Sequence, residues 1–185
     1  MPRRFGFWAL LVVSTVWAQG CAHTPIESAN SSLNELHNKL QGNWKCHIAF
    51  DDPPVFVIAD SILVISENQM IEKGLGKFEI RDSNQQGYTT SEVETKQNYV
   101  LIDNQNYSYT PTAFRSKIIE SSNNSVGNIL IQIEQNVNKE ILQKIHDKTE
   151  KKERFLLTND NSLTLFGTEP KPSDAPQTCT RIQKP

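Results

Sequence analysis

The sequence predicts a mainly β protein, an antiparallel barrel or sandwich with a short N-terminal helix and one inserted amphipathic helix. Three observations lead to this fold class. Apolar and polar residues alternate in many short runs, Asn- and Asp-rich turn signals separate these runs, and two segments show helical spacing instead. Many short strands at regular spacing are typical of an antiparallel barrel or sandwich.

Two segments precede the β region. Residues 22–32 are polar, which predicts an unstructured tether. In residues 33–40, three leucines and a histidine recur at helical spacing, and Gly42 follows them. This pattern predicts a short helix that leads into the globular part of the chain.

The first predicted strand shows the alternation most clearly. From Trp44 to Phe50 every second residue is apolar, so one face of the strand is expected to be buried. Further strands are predicted at residues 55–58, 61–66, 70–76, 78–81, 88–96, 99–102, 107–110, 114–120, 128–134, 154–158, 162–166 and 178–182. Gly74 and Gly76 indicate a bulge or tight turn rather than a phosphate-binding loop.

Two later segments depart from the β pattern. Residues 136–151 place apolar side chains at helical spacing among Lys, Glu and Gln, which predicts an amphipathic helix packed against the sheet. Residues 167–177 contain three prolines and cannot form a central strand. They are predicted to form a loop over one end of the fold.

The N-terminal residues indicate an export signal. Arg3 and Arg4 precede an apolar run over residues 5–18, which as a helix would cover only ~20 Å of a ~30 Å bilayer core. Residues 1–20 are therefore interpreted as a cleavable signal peptide rather than a membrane span. The small residues directly before Cys21 resemble the lipobox of bacterial lipoproteins.

The lipobox resemblance implies that Cys21 becomes the first residue of the mature chain and carries diacylglycerol and a further fatty acid, with palmitate as the expected acyl group. Two or three acyl chains give a lasting membrane anchor, at about 0.8 kcal/mol per buried CH₂. Ala22, in place of Asp, implies the outer membrane, on its periplasmic face. The expected organisation is a signal peptide (1–20), a lipidated tether (21–32) and one barrel domain (33–185).

The cysteine count agrees with export. With Cys21 acylated, as the resemblance implies, Cys46 and Cys179 remain. An oxidising periplasm favours a disulfide between them, and such a bridge would close nearly the whole domain.

Motif residues stand at both ends of the β region. Gly42 and Trp44 form a Gly-x-Trp motif after the first helix, Arg181 lies in the last strand, and Cys46 and Cys179 stand two residues after the Trp and two before the Arg. This set resembles the lipocalins and related calycin-type barrels, including those of bacterial lipoproteins. The resemblance implies a lipocalin-like barrel in which the arginine packs across the tryptophan, the first and last strands pair, and a disulfide joins them. The helix predicted ahead of the final strands departs from that family.

The sequence contains no catalytic or metal-binding pattern. The signal segment carries two arginines and no acid, so the rest has 17 basic against 21 acidic residues, a net charge of −4, without a nucleic-acid-binding patch. His23, His37, His47 and His146 lack metal-ligand spacing and are interpreted as surface side chains. Cys46 and His47 point to opposite strand faces, so they cannot form a nucleophile–base pair. A protein without enzymatic activity, cofactor or metal is expected.

The expected function is that of a lipid-anchored binding module that holds a small apolar ligand or docks to another envelope protein. The sequence assigns no ligand-binding residue. The aromatic residues Tyr88, Tyr99, Tyr107, Tyr109 and Phe114 either line a cavity or belong to the core and sheet surface. The alternative is a peptidase inhibitor, because secreted bacterial metalloprotease inhibitors also use such barrels. There a free N-terminal segment enters the protease cleft, and acylation of Cys21 would oppose that use.

Overall fold

The computed structural model describes residues 26–82, 84–166 and 175–183 of the chain, with side chains from residue 31 onward. The predicted signal peptide, Cys21, His23 and most of the proline-rich segment lie outside these residues. The described elements are α1 (Ile26–Leu40), β1 (Gly42–Asp52), β2 (Val55–Ile65), β3 (Gln69–Arg81), β4 (Gln86–Leu101), β5 (Asn106–Ser121), α2 (Ser125–His146), β6 (Lys151–Asn159), β7 (Ser162–Phe166) and β8 (Gln177–Arg181). The predicted mainly β fold with two helices is confirmed for this part of the chain.

The eight strands form one antiparallel sheet in chain order. The sheet is ring-like because β1 pairs with both β2 and β8. The strands differ in length, with 16 residues in β4 and β5 but five in β7 and β8. β5 pairs with β6 over Asn106–Tyr109 only, although both strands are longer than this ladder. Helix α2, which follows β5 in the chain, packs against β4 and β5.

Helix α2 corrects two predictions. The strand predicted at residues 128–134 is wrong because these residues are helical, and the helix predicted at 136–151 runs instead over Ser125–His146. Apolar residues are so frequent in this stretch that they fit both the two-residue period of a strand and the 3.6-residue period of a helix. The cap favours the helix, since the Asn124 side-chain oxygen accepts a hydrogen bond from the Gly127 N–H at 2.8 Å.

Several elements are longer than predicted. α1 begins at Ile26, so residues 26–32 of the predicted tether are helical rather than unstructured. The short strands predicted between residues 55 and 120 merge in pairs into β2 to β5. Gly74 and Gly76 lie within β3 in unbroken register with β2, so the predicted bulge or turn is wrong.

The buried core occupies the half of the ring nearest α1. It comprises Leu40, Trp44, Cys46, Leu63, Ile65, Met70, Tyr99, Tyr107, Tyr109, Phe155, Leu163 and Cys179. The predicted alternation along β1 is confirmed, because Trp44 and Cys46 are buried while Lys45 and His47 are exposed. Further along the same face, Ile48 and Phe50 are only half-buried.

Candidate functional site

Arg181 joins both ends of the ring to α1. Its guanidinium carbon lies 4.2 Å from the centroid of the Trp44 ring. The same side chain donates hydrogen bonds to backbone carbonyls of Asp160 (2.5 Å), Gln41 (2.7 Å) and Lys39. At the edge of the indole, the Trp44 N–H donates a hydrogen bond to the Leu40 carbonyl at 2.9 Å. A buried indole and a planar cation thus close this end of the interior.

The packing of Arg181 on Trp44, termed the junction, also requires glycine at position 42. Its φ is +134°, which disfavours any residue with a side chain, and a Cβ there would lie 2.7 Å from Arg181 Nη1. Beside the junction, Cys46 and Cys179 form a disulfide with a Cα–Cα distance of 4.0 Å. The predicted disulfide is therefore confirmed. The chain-entropy model assigns about 5 kcal/mol to a closed loop of this length.

Three adjoining cavities lined by described residues lie in the half of the interior opposite α1 and are together termed the interior cup. The first, of about 430 Å³, is lined by residues that include Ile48, Phe50, Val57, Phe78, Leu165 and Phe166. The second, of about 440 Å³, shares Val57 and Phe78 with the first and extends beneath α2. The third, of about 170 Å³, shares Gly76 and Val93 with the second. The lining is mainly aliphatic and aromatic, as in sites for small apolar molecules.

Two inward-facing carboxyl groups of the strands border the interior cup. Glu153 accepts hydrogen bonds from the Tyr107 and Tyr109 hydroxyls at 2.7 Å each, one on each carboxyl oxygen. Glu72 Oε1 accepts from the Ser61 hydroxyl and the Gln177 side-chain amide, both at 2.5 Å. Glu153 lines the first cavity and Glu72 the third. These six side chains are termed the polar layer.

The two tyrosines of the polar layer are hydrogen-bond donors. Burial, and then the nearby Glu153 carboxylate, raises the pKa of the Tyr107 hydroxyl well above its usual value and also raises the pKa of Tyr109. Both hydroxyls therefore keep their protons at physiological pH. Lys151 pairs with Tyr109 across β5 and β6, and its ammonium lies 6.0 Å from the Tyr109 ring centroid.

Helix α2 borders the second cavity. Leu130, Ile133 and Val137 contribute apolar side chains to its lining. Glu134 accepts hydrogen bonds from the hydroxyls of Ser91 (2.6 Å) and Ser116 (2.8 Å), which lie on β4 and β5. Ile133 and Val137 remain 42% and 47% exposed, so the middle of α2 covers the interior cup without being buried itself.

The histidines within the described residues do not assemble into a site. His37 packs edge-on against Tyr99, with the ring centroids 5.7 Å apart. His47 lies on the outer face of β1, where its Nδ1 is 3.0 Å from Asp60 Oδ1. His146 is exposed at the end of α2.

The five aromatic residues singled out in the sequence occupy three environments. Tyr99, Tyr107 and Tyr109 belong to the buried core, while Phe114 lines the second cavity. Tyr88 is partly exposed and donates its hydroxyl hydrogen bond to Glu120 at 2.7 Å. Sequence reasoning did not single out Glu72 or Glu153. The alternating pattern could have indicated both residues, because each stands at an inward-facing position of its strand.

Comparisons with protein-family models, with curated proteins and with solved structures find no match for this chain. Neither described helix is long and apolar enough to cross a membrane. Among the residues that the structure describes, no three or more His, Cys, Asp or Glu side chains are placed to hold a metal ion.

Proposed function

We propose that this chain is a lipid-anchored, lipocalin-like binding protein whose barrel holds a small apolar ligand. The interior cup is the observation that carries this proposal. Its two larger cavities, of about 430 and 440 Å³, adjoin through Val57 and Phe78. Each falls within the range of roughly 300–1,000 Å³ that is usual for ligand pockets.

Small residues make room for the interior cup. Ala59 and Gly76 face the interior, where an eight-stranded barrel filled by its own side chains carries larger residues. A Cβ at Gly76 would meet the Ala59 Cβ at 3.9 Å, an ordinary van der Waals contact, so the backbone admits a side chain there. Because unfilled apolar volume destabilises a fold, small residues at these two places favour a ligand-binding role.

Ligand binding is tested with a photoreactive probe on the full-length protein in host membranes. The probe is decan-1-ol with a diazirine on its chain, and the labelled peptides are mapped by mass spectrometry. Label is expected on inward-facing residues of β2, β3 and α2. Ala59→Leu should reduce this labelling several-fold, because the added atoms enter the third cavity.

Ala49→Leu is the matched control. It adds the same atoms to the exposed outer face of β1, so labelling should equal that of the wild type. Label that spares the interior, or equal labelling of the two variants, would contradict a ligand site in the interior cup. Thermal melting of both variants checks that they are folded.

The lipid anchor is the second part of the proposal. It is supported by the Arg3–Arg4 start, the apolar run that follows and the small residues before Cys21, while Ala22 supports the periplasmic face of the outer membrane. Metabolic labelling with an alkyne fatty acid should tag the wild type and leave Cys21→Ser untagged. Equal incorporation into both proteins would refute the anchor.

A further inference from the structure

We infer that the ligand of the interior cup is an apolar chain with a cationic, hydrogen-bond-donating head group, namely a primary amine. This inference rests on the proposed function and concerns the end of the cup formed by the polar layer. It follows from the acceptor capacity of two carboxyl groups, from the charges around them and from the apolar lining beyond.

Both carboxyl groups retain acceptor capacity, and each lines a cavity of the interior cup. An ionised carboxylate offers about four lone-pair sites. Glu153 engages one hydroxyl with each oxygen, and Glu72 receives its two hydrogen bonds on Oε1. An alkylammonium group has three N–H donors and no acceptor, so it complements two such carboxylates. Charge-assisted hydrogen bonds of this kind are roughly twice as strong as neutral ones.

The charges that border the cup favour a cation over an anion. Glu72, Glu134 and Glu153 supply carboxyl groups from β3, α2 and β6. Two lysines border the same region. Lys77 is engaged by Glu79 at 3.2 Å, and Lys151 lies over the Tyr109 ring. A fatty acid would bring its own carboxylate against acceptors that cannot donate to it, so this arrangement selects against such a head group.

The apolar lining accounts for the rest of the ligand. Beyond the polar layer, the interior is lined by Val57, Phe78, Val93 and Phe114 up to the apolar residues of α2. An alkyl chain placed here loses contact with water while its head group stays among polar partners. The polar layer and the apolar lining thus match the two ends of a single amphiphile.

The experiment compares three competitors that share one chain length. The photoreactive decanol labels the full-length protein in membranes, and decylamine, decan-1-ol or decanoate is added to displace it. We expect half-displacement by decylamine at a concentration about tenfold below that of decan-1-ol, with decanoate weaker than both. In Glu153→Gln and in Glu72→Gln, the advantage of decylamine over decan-1-ol should fall towards unity.

Glu92→Gln is the matched control, because Glu92 is exposed on β4, and it should keep the wild-type advantage. The inference is overturned if decylamine displaces no better than decan-1-ol in the wild type, or if its advantage survives both interior variants. That result leaves the proposed function intact as long as decan-1-ol displaces the probe. If none of the three compounds displaces probe from the interior, the proposed function fails together with the inference.

Discussion

The guanidinium of Arg181 covers the Trp44 ring at 4.2 Å while it donates to three backbone carbonyls outside the two strands that carry these residues. One side chain therefore ties β1 and β8 to the end of α1 and to the turn between β6 and β7. The planar fork of arginine is needed for several simultaneous donations, and lysine offers a single ammonium group.

Arg181→Lys should accordingly lower the free energy of unfolding by about 1–3 kcal/mol, measured by urea denaturation. Arg154→Lys is the matched control, since that guanidinium carbon lies 5.9 Å from the Phe166 ring centroid on an exposed face. The control should change stability by less than about 0.5 kcal/mol. Equal losses of unfolding free energy in the two variants would show that Arg181 stabilises the fold no more than an exposed arginine does.

The Cys46–Cys179 disulfide should appear as non-additivity in a double-mutant cycle. Cys46→Ala and Cys179→Ala each open the same closed loop, so each should cost a similar amount, at most about 5 kcal/mol. The double variant should lose little more than either single one. Thermal and urea unfolding of all four proteins measure this, and additive losses would contradict a shared bond.

Two neighbouring glycines of β3 should respond in opposite ways to alanine. At Gly74 a Cβ would lie 2.6 Å from the Ser61 Cβ and would collide with the Asp60 carbonyl oxygen. Gly74→Ala should therefore destabilise the fold by about 1–3 kcal/mol, the usual cost of overpacking. Gly76→Ala should be neutral or stabilising by up to about 1 kcal/mol, because alanine has less freedom to lose on folding. Melting temperatures distinguish the two, and a similar drop in both would contradict the geometry of β2 and β3.

Glu79 should contribute to acid unfolding. Hydrogen bonds from Arg81, and then from Lys77, lower the pKa of its carboxyl from 4.5 to about 2. Since the pKa in the folded state is the lower one, this stabilisation is present above pH 4.5 and is lost as the pH falls from 4.5 to about 2. The amount is roughly 1 kcal/mol, because water screens the half-exposed cations.

Glu79→Gln should therefore flatten the fall in stability over that window, as measured by urea unfolding at several pH values. High salt should shrink the difference between the two proteins by screening the charges. A parallel fall in wild type and variant at low salt would contradict the assigned role of Glu79.

The sequence predicted features that depend on neighbouring residues or on a shared motif. Alternation from Trp44 to Phe50 identified the inner face of β1, and the motif residues predicted that Cys46 and Cys179 pair. Helix α2 was misread in its first half because the apolar run after Asn128 fits a strand as well as a helix. The N-cap residue Asn124 was the local feature that could have distinguished a helix from a strand in this stretch.

The polar layer could not be predicted from local patterns. Glu72 and Gln177 are 105 residues apart in the chain, and Glu153 is 46 residues from Tyr107. Alternation shows that each of these side chains faces inward, but their contacts depend on which strands pair and in what register: Tyr107 and Glu153 are direct partners across β5 and β6. The contact between Glu72 on β3 and Gln177 on β8 depends in addition on the pairing of β1 with β8 that closes the ring.

Two of the three shortest ladders of the ring, β1–β8 and β5–β6, differ in what reinforces them. β1 and β8 pair over four residues and share the disulfide and the contacts of Arg181. β5 and β6 pair over Asn106–Tyr109 and are joined by non-covalent contacts, among them the hydrogen bonds of Tyr107 and Tyr109 to Glu153. Backbone hydrogen bonds with so few neighbours break at low free-energy cost. Since no covalent bond joins β5 to β6, these two strands are expected to separate at a lower free-energy cost than β1 and β8.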